Sequence, residues 1–171
     1  MSLENIVHPD LLAAQKLAYE PNGLNCKLIE LDTESKEYGA CTLQINNMLV
    51  KFRVGKITPT KIGQFVTLWK RIGKGPIQPY DTTDPFDLFI VSVRDNLHFG
   101  QFVFPKEVLY EKGVLSKNGL GGKRAIRIYP PWDKPDNSQA QKSQYWQLNY
   151  FFEIDKKNVH QDRVRRLFHA F

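Results

Sequence analysis

The sequence has no aspartate or glutamate between Tyr38 and Tyr80, holds only two cysteines, and never approaches a long apolar run. Each absence excludes something. Two cysteines cannot form the framework that staples a small secreted domain. Cys26 and Cys41 sit in neither a CxxC nor a pairing with histidine at metal-ligand spacing, and both fall in apolar, strand-like runs, where cysteine acts as a small hydrophobe. His8, His98, His160 and His169 are scattered, with no HExxH or zinc spacing, so no metal site is expected. No window reaches the ~20 consecutive apolar residues of a membrane helix, so no membrane association is expected. Met1-Ser2-Leu3-Glu4 offers neither a basic nor an apolar leader region, and no lipidation signature is present, which makes the cytoplasm the expected compartment.

What is present is positive charge. The 171 residues carry a net charge of +6, with 42% hydrophobic and 25% charged residues, which suits one domain spanning 1–171 with a real core. The acid-free stretch contains Lys51, Arg53, Lys56, Lys61, Lys70, Arg71 and Lys74. A second basic excess lies beyond residue 120. Such a distribution points to an anionic partner.

Periodicity predicts an amphipathic helix over 3–19, ended by Pro21-Asn22-Gly23, then a strand from Leu24 to Leu31. Two further strands, Tyr38 to Ile45 and Met48 to Val54, are joined by Asn46-Asn47 as a hairpin. A helix is expected next. Thr58 would cap it, Pro59 would take its first position, and Ile62, Phe65, Val66, Trp69 and Ile72 would form one apolar stripe. Leu88 to Val93 and Phe99 to Phe104 read as a strand pair, the first too apolar for an exposed edge. Asn118 to Gly122 forms a glycine-rich loop, and Ala125 to Tyr129 a short strand stopped by Pro130-Pro131. A helix begins at Asn137 or Ser138 and reaches Trp146; Asn149 to Ile154 is left open between helix and strand. A last amphipathic turn gathers Val164, Leu167, Phe168 and Phe171. The fold expected is α+β, a mixed central sheet flanked by helices.

Two segments could bind anions. Lys56, Thr58, Thr60, Lys61 and Gln64 surround the N-terminus of the expected helix over 59–72, where free N–H groups attract phosphate. Arg53 precedes them and Arg71 lies on the polar face. The other segment is Lys123, Arg124 and Arg127 with Tyr129 and Trp132, arginines beside aromatics that could stack bases. Downstream, Gln139, Gln141, Gln144 and Gln147 could hydrogen-bond bases or backbone.

The order helix, three strands, helix, strand resembles the core of PD-(D/E)xK (restriction-endonuclease-like) nucleases. Those enzymes hold Mg²⁺ or Mn²⁺ on strand carboxylates, because a hard cation requires oxygen ligands. Lys56 fits the lysine of that pattern and Gln64 a glutamine found in some members. Val54, however, stands at the acid position, and the strand before it has no acid. Glu37 and Asp87 are the remaining candidates for a metal-dependent nuclease.

Lys56 through Arg71, Gly100 through Lys106, and Gly122-Lys123-Arg124 through Tyr129-Pro130-Pro131-Trp132 to Gln139-Ala140 and Gln144 together resemble the MepB family of small bacterial proteins. The resemblance implies a PD-(D/E)xK-like core and binding to DNA or RNA, and supplies no catalytic residues. The expected function is nucleic-acid binding without catalysis and without a cofactor. The alternatives are a divergent nuclease using Glu37, Asp87 and Lys56, or an accessory protein for an acidic protein or small anionic ligand.

Overall fold

The computed structural model describes residues 6–169. The start of the first expected helix and Phe171 lie outside the described residues. The centre of the fold is a six-stranded mixed sheet. Its strands are β1 (Cys26–Leu31), β2 (Cys41–Ile45), β3 (Met48–Val54), β8 (Leu88–Arg94), β9 (Phe99–Pro105) and β11 (Phe151–Glu153), in that spatial order. All neighbours are antiparallel except β3 and β8, which run parallel with Val50 opposite Leu88 and Val54 opposite Ser92. The β2–β3 hairpin turns at Asn46-Asn47, with Asn46 at φ 52° and its Oδ1 accepting the Asn25 N–H. Asparagine tolerates that left-handed conformation, which is why the pair works as a turn.

Each strand sends alternate residues to opposite faces. Phe52, Leu88, Ile90 and Val103 point to one face, where they meet α1 (Pro9–Ala14), its π-helical continuation to Tyr19, and α4 (Gln161–His169). Phe89, Val91, Phe102 and Phe104 point to the other. There they are covered by α2 (Lys106–Glu111), by α3 (Ser138–Gln147), and by a small sheet of β4 (Lys56–Ile57), β5 (Gln64–Thr67) and β10 (Ala125–Ile128) ordered β10-β5-β4. Covered on both sides, β8 is buried from Leu88 to Val93, as its unbroken apolar run implies. A chain of polar side chains crosses this interior with its members bonded to one another. Tyr19 donates to Gln101 Oε1 at 2.5 Å, and Gln101 donates to Ser92 Oγ at 2.7 Å.

The helix expected over 59–72 does not exist. The chain there makes β4, a bend, β5 and β6 (Trp69–Arg71), and β6 pairs with β7 (Ile77–Pro79). A parallel pair such as β3 and β8 requires a crossover, usually helical; here the crossover is built of strands. The residue types explain it. Ile62, Phe65, Val66, Thr67 and Trp69 are β-branched or aromatic, which a helix restricts and a pleated surface accommodates. Gly63 sits at φ 88°, and a Cβ there would lie 2.7 Å from the Tyr129 ring. The apolar stripe is also not one face: Val66 is buried while Ile62 is exposed and Ile72 is 66% exposed. The open segment, 149–154, resolves as a 3₁₀ turn (Leu148–Tyr150) followed by β11.

Candidate functional site

Folding supplies the acid-free stretch with acids from outside it. Arg53 is fully buried on β3, donates from Nη1 to Asp32 at 2.9 Å and to the Phe52 carbonyl at 2.8 Å, and donates from Nη2 to the Tyr80 hydroxyl at 3.1 Å. Lys51 lies 3.4 Å from the same Asp32 carboxylate and donates to Thr42 Oγ1. Lys70 pairs with Asp84 at 2.8 Å, and Arg71 with Glu34 at 2.7 Å. The Arg71 guanidinium holds the Glu34 carboxyl below its ordinary range. Four of the stretch's cations are therefore engaged by three acids, Arg53 and Lys51 sharing Asp32. Arg53, expected at a phosphate, is inside the protein, and Arg71 is engaged by Glu34.

The rest of that expected site is also dispersed. With no helix at residue 59, there is no N-terminus for an anion. Lys56 is exposed with its ammonium 4.6 Å from the Tyr38 ring centre. The Thr58 hydroxyl is buried without a partner. Gln64 is buried and donates to the Arg94 carbonyl at 3.2 Å. Trp132 stacks on His98, with ring centres 4.9 Å apart, and meets Phe151 edge-on.

Thr60 and Lys61 go elsewhere, and they find the second basic segment. They line a cleft of about 580 Å³ together with Lys123, Ala125, Arg127 and Tyr129 from around β10, Lys112 from the end of α2, and Asn137, Gln139, Ser143, Trp146 and Gln147 from α3. Asp136 is its single acid. Arg127 donates to the Gly63 carbonyl at 3.2 Å, which ties β10 to the bend carrying Lys61. Lys112 lies over the Trp146 ring at 5.6 Å. Among the described residues, none of Lys61, Lys112, Lys123 and Arg127 has a carboxylate within ion-pair distance. Arg124 is exposed beside the cleft but does not line it.

Most of the expected base-contacting amides have internal duties. Gln147 Oε1 accepts the Tyr129 N–H at 2.9 Å and its Nε2 donates to the Arg127 carbonyl at 3.1 Å, so it caps β10 as a neighbouring strand would. Gln144 donates to the Pro130 and Asp133 carbonyls, and Gln141 to the Pro135 carbonyl. Of the four, Gln139 alone has no such bond among the described contacts and stays exposed in the cleft. Lys112 and Ser143 were not legible as site residues; each stands in an ordinary helical segment without a local signal.

Asp87 and Lys56 do not converge. Asp87 accepts the Leu49 N–H at 2.8 Å, at the start of β3. Lys56 lies beyond the other end of β3, seven residues along a strand that rises ~3.3 Å per residue. Glu37 is exposed in a 3₁₀ turn beside Tyr38. These residues do not fit the Mg²⁺ or Mn²⁺ of a PD-(D/E)xK site, and no group of three or more His, Cys, Asp or Glu that could hold a metal occurs among the described residues. Cys26 and Cys41 are buried free thiols, pushed up to about 12 by burial, which leaves them unreactive as thiolates.

The geometry defines an α+β protein built on a mixed sheet, with a cationic cleft over one layer. The chain belongs to the MepB-like family, whose model matches residues 32–153. It is similar to a solved structure, the crystal structure of MepB, at 31% sequence identity and a TM-score of 0.73, over 87% of this chain and 99% of that one. No curated protein matches. No helix among the described residues is long and apolar enough to cross a membrane.

Proposed function

We propose that this protein binds nucleic acid in the cleft between β10 and α3 and does not cut it. One observation carries the reading: Lys61, Lys112, Lys123 and Arg127, from three segments of the chain, converge on one concavity with a single acid and, among the described residues, no ion-pair partners. Placing like charges together costs energy, and an anionic ligand recovers it. Polar groups on α3 and the aromatic rings of Tyr129 and Trp146 add hydrogen-bonding and stacking surface for a nucleotide. A restriction-endonuclease-like ancestry is supported by the β1–β2–β3 meander with β8 laid parallel to β3, although the crossover helix of that core is replaced by strands. Binding without cutting is supported by Asp87 and Lys56 standing at opposite ends of β3.

The test is fluorescence anisotropy with labelled nucleic acid at low salt. The wild type binds, and affinity falls as salt rises, because each neutralised phosphate releases counterions. Lys61→Glu combined with Lys123→Glu abolishes the signal while leaving the fold intact. No binding by wild type at low salt, or unchanged binding by the double variant, refutes the reading. Incubation with Mg²⁺ or Mn²⁺ leaves the nucleic acid whole.

A further inference from the structure

We infer that the cleft takes an unpaired strand rather than a duplex, an inference that rests on the nucleic-acid reading above. Size is the first argument. A cleft of about 580 Å³ is of the size of sites that hold small ligands, a closer match to a nucleotide or two than to a double helix. Duplex readers instead push a helix or ribbon into a groove ~12 Å wide, whereas these cations stand on the walls of a concavity.

The floor is the second argument. Along β10, residues alternate between bonding β5 and facing outward. The Arg124 carbonyl accepts from Leu68 N–H, on the inner side. The Arg127 carbonyl and Tyr129 N–H face outward, since Gln147 bonds both. By the same alternation the Arg127 N–H and both backbone groups of Ala125 face outward, and Gln147 does not cover them. A sheet edge with donors that Gln147 leaves uncovered, in the cleft that Lys61 and Lys123 also line, suits a sugar–phosphate backbone laid along it. The third argument is aromatic. The half-buried rings of Tyr129 and Trp146 line the same space, and a base can stack on such a ring only when it is not stacked and paired in a duplex.

The experiment compares a labelled oligothymidine 12-mer, an oligouridine 12-mer and a blunt duplex of the same length by anisotropy, with intrinsic tryptophan fluorescence read in parallel. Expected are single-strand affinities about tenfold above the duplex, and a log–log salt slope near −2.8 for four cations on a single strand. Tryptophan quenching on strand binding should be smaller in Trp146→Phe, which keeps an aromatic ring against Phe104. Duplex binding as tight as single-strand binding, or quenching unchanged in Trp146→Phe, overturns this inference and leaves the broader reading standing. Failure of all three probes to bind at low salt overturns both.

Discussion

Arg53 and Lys123 carry the same charge and are put to opposite uses. Arg53 is buried on a central strand, held by Asp32, a backbone carbonyl and Tyr80. Lys123 is exposed at the mouth of a cleft, with no carboxylate near it among the described contacts. One cation helps fix the packing of the sheet; the other is left facing solvent. Local composition does not distinguish them, because the acid that neutralises a cation arrives from wherever the chain folds back. Asp32, Glu34 and Asp84 all flank the acid-free stretch in sequence and enter it in space.

The sharpest break of this comparison is Asp32→Asn. It leaves a buried guanidinium without its counter-charge, and one-sided loss of a buried pair costs about 3–5 kcal/mol. Urea denaturation should show that loss. If stability is unchanged, Arg53 is not the structural cation described here.

Gly63→Ala comes next and tests the crossover as well. At φ 88°, with a Cβ 2.7 Å from Tyr129, alanine should destabilise by more than about 1–2 kcal/mol. In a helix the same change would stabilise by about 1 kcal/mol, so the sign of the shift in midpoint separates strand from helix.

On the open side, Lys61→Ala or Lys123→Ala should change stability by no more than about 0.5 kcal/mol, as surface substitutions do. Denaturation midpoints check this, and a large loss would mean that these lysines are structural after all.

The smallest expected effect concerns pH. Burial raises the Asp133 carboxyl, and the nearby Asp95 charge raises it further. A native pKa above the unfolded one means that the ionised group opposes folding. Stability is therefore gained as pH falls through the raised native value. Asp133→Asn should be slightly more stable than wild type at neutral pH, and the difference should vanish below the ordinary carboxylate range. A difference that grows on acidification would contradict the assignment.

The large sheet was legible because its strands announce themselves. Leu88 to Val93 is apolar throughout, Asn46-Asn47 permits one kind of connection, and Pro130-Pro131 ends β10. The residues between β3 and β8 misled because Ile62, Phe65, Val66 and Trp69 satisfy a helical period by coincidence, while their β-branched and aromatic character and Gly63 between them favour strands. The site was half legible. Lys61, Lys123 and Arg127 stood out as charge, but their meeting depends on β10 pairing with β5, a contact across some sixty residues of chain. Arg53 and Gln64 read as ligands because polarity in the sequence says nothing about burial. Gln144 and Gln147 read as base contacts because their true partners, the carbonyls after β10 and its open edge, have no sequence signature.

The central claim is that the cleft, and not the acid-free stretch as a whole, carries the affinity for anions. The most direct test measures single-strand binding against salt for two double variants, Lys61→Ala with Lys123→Ala and Lys70→Ala with Arg71→Ala. The first pair should weaken binding and cut the log–log slope from about −2.8 to about −1.4, since each single-strand phosphate contact contributes ~0.7. The second pair should leave the slope unchanged. A slope that falls with Lys70 and Arg71 and survives the loss of Lys61 and Lys123 would contradict the account.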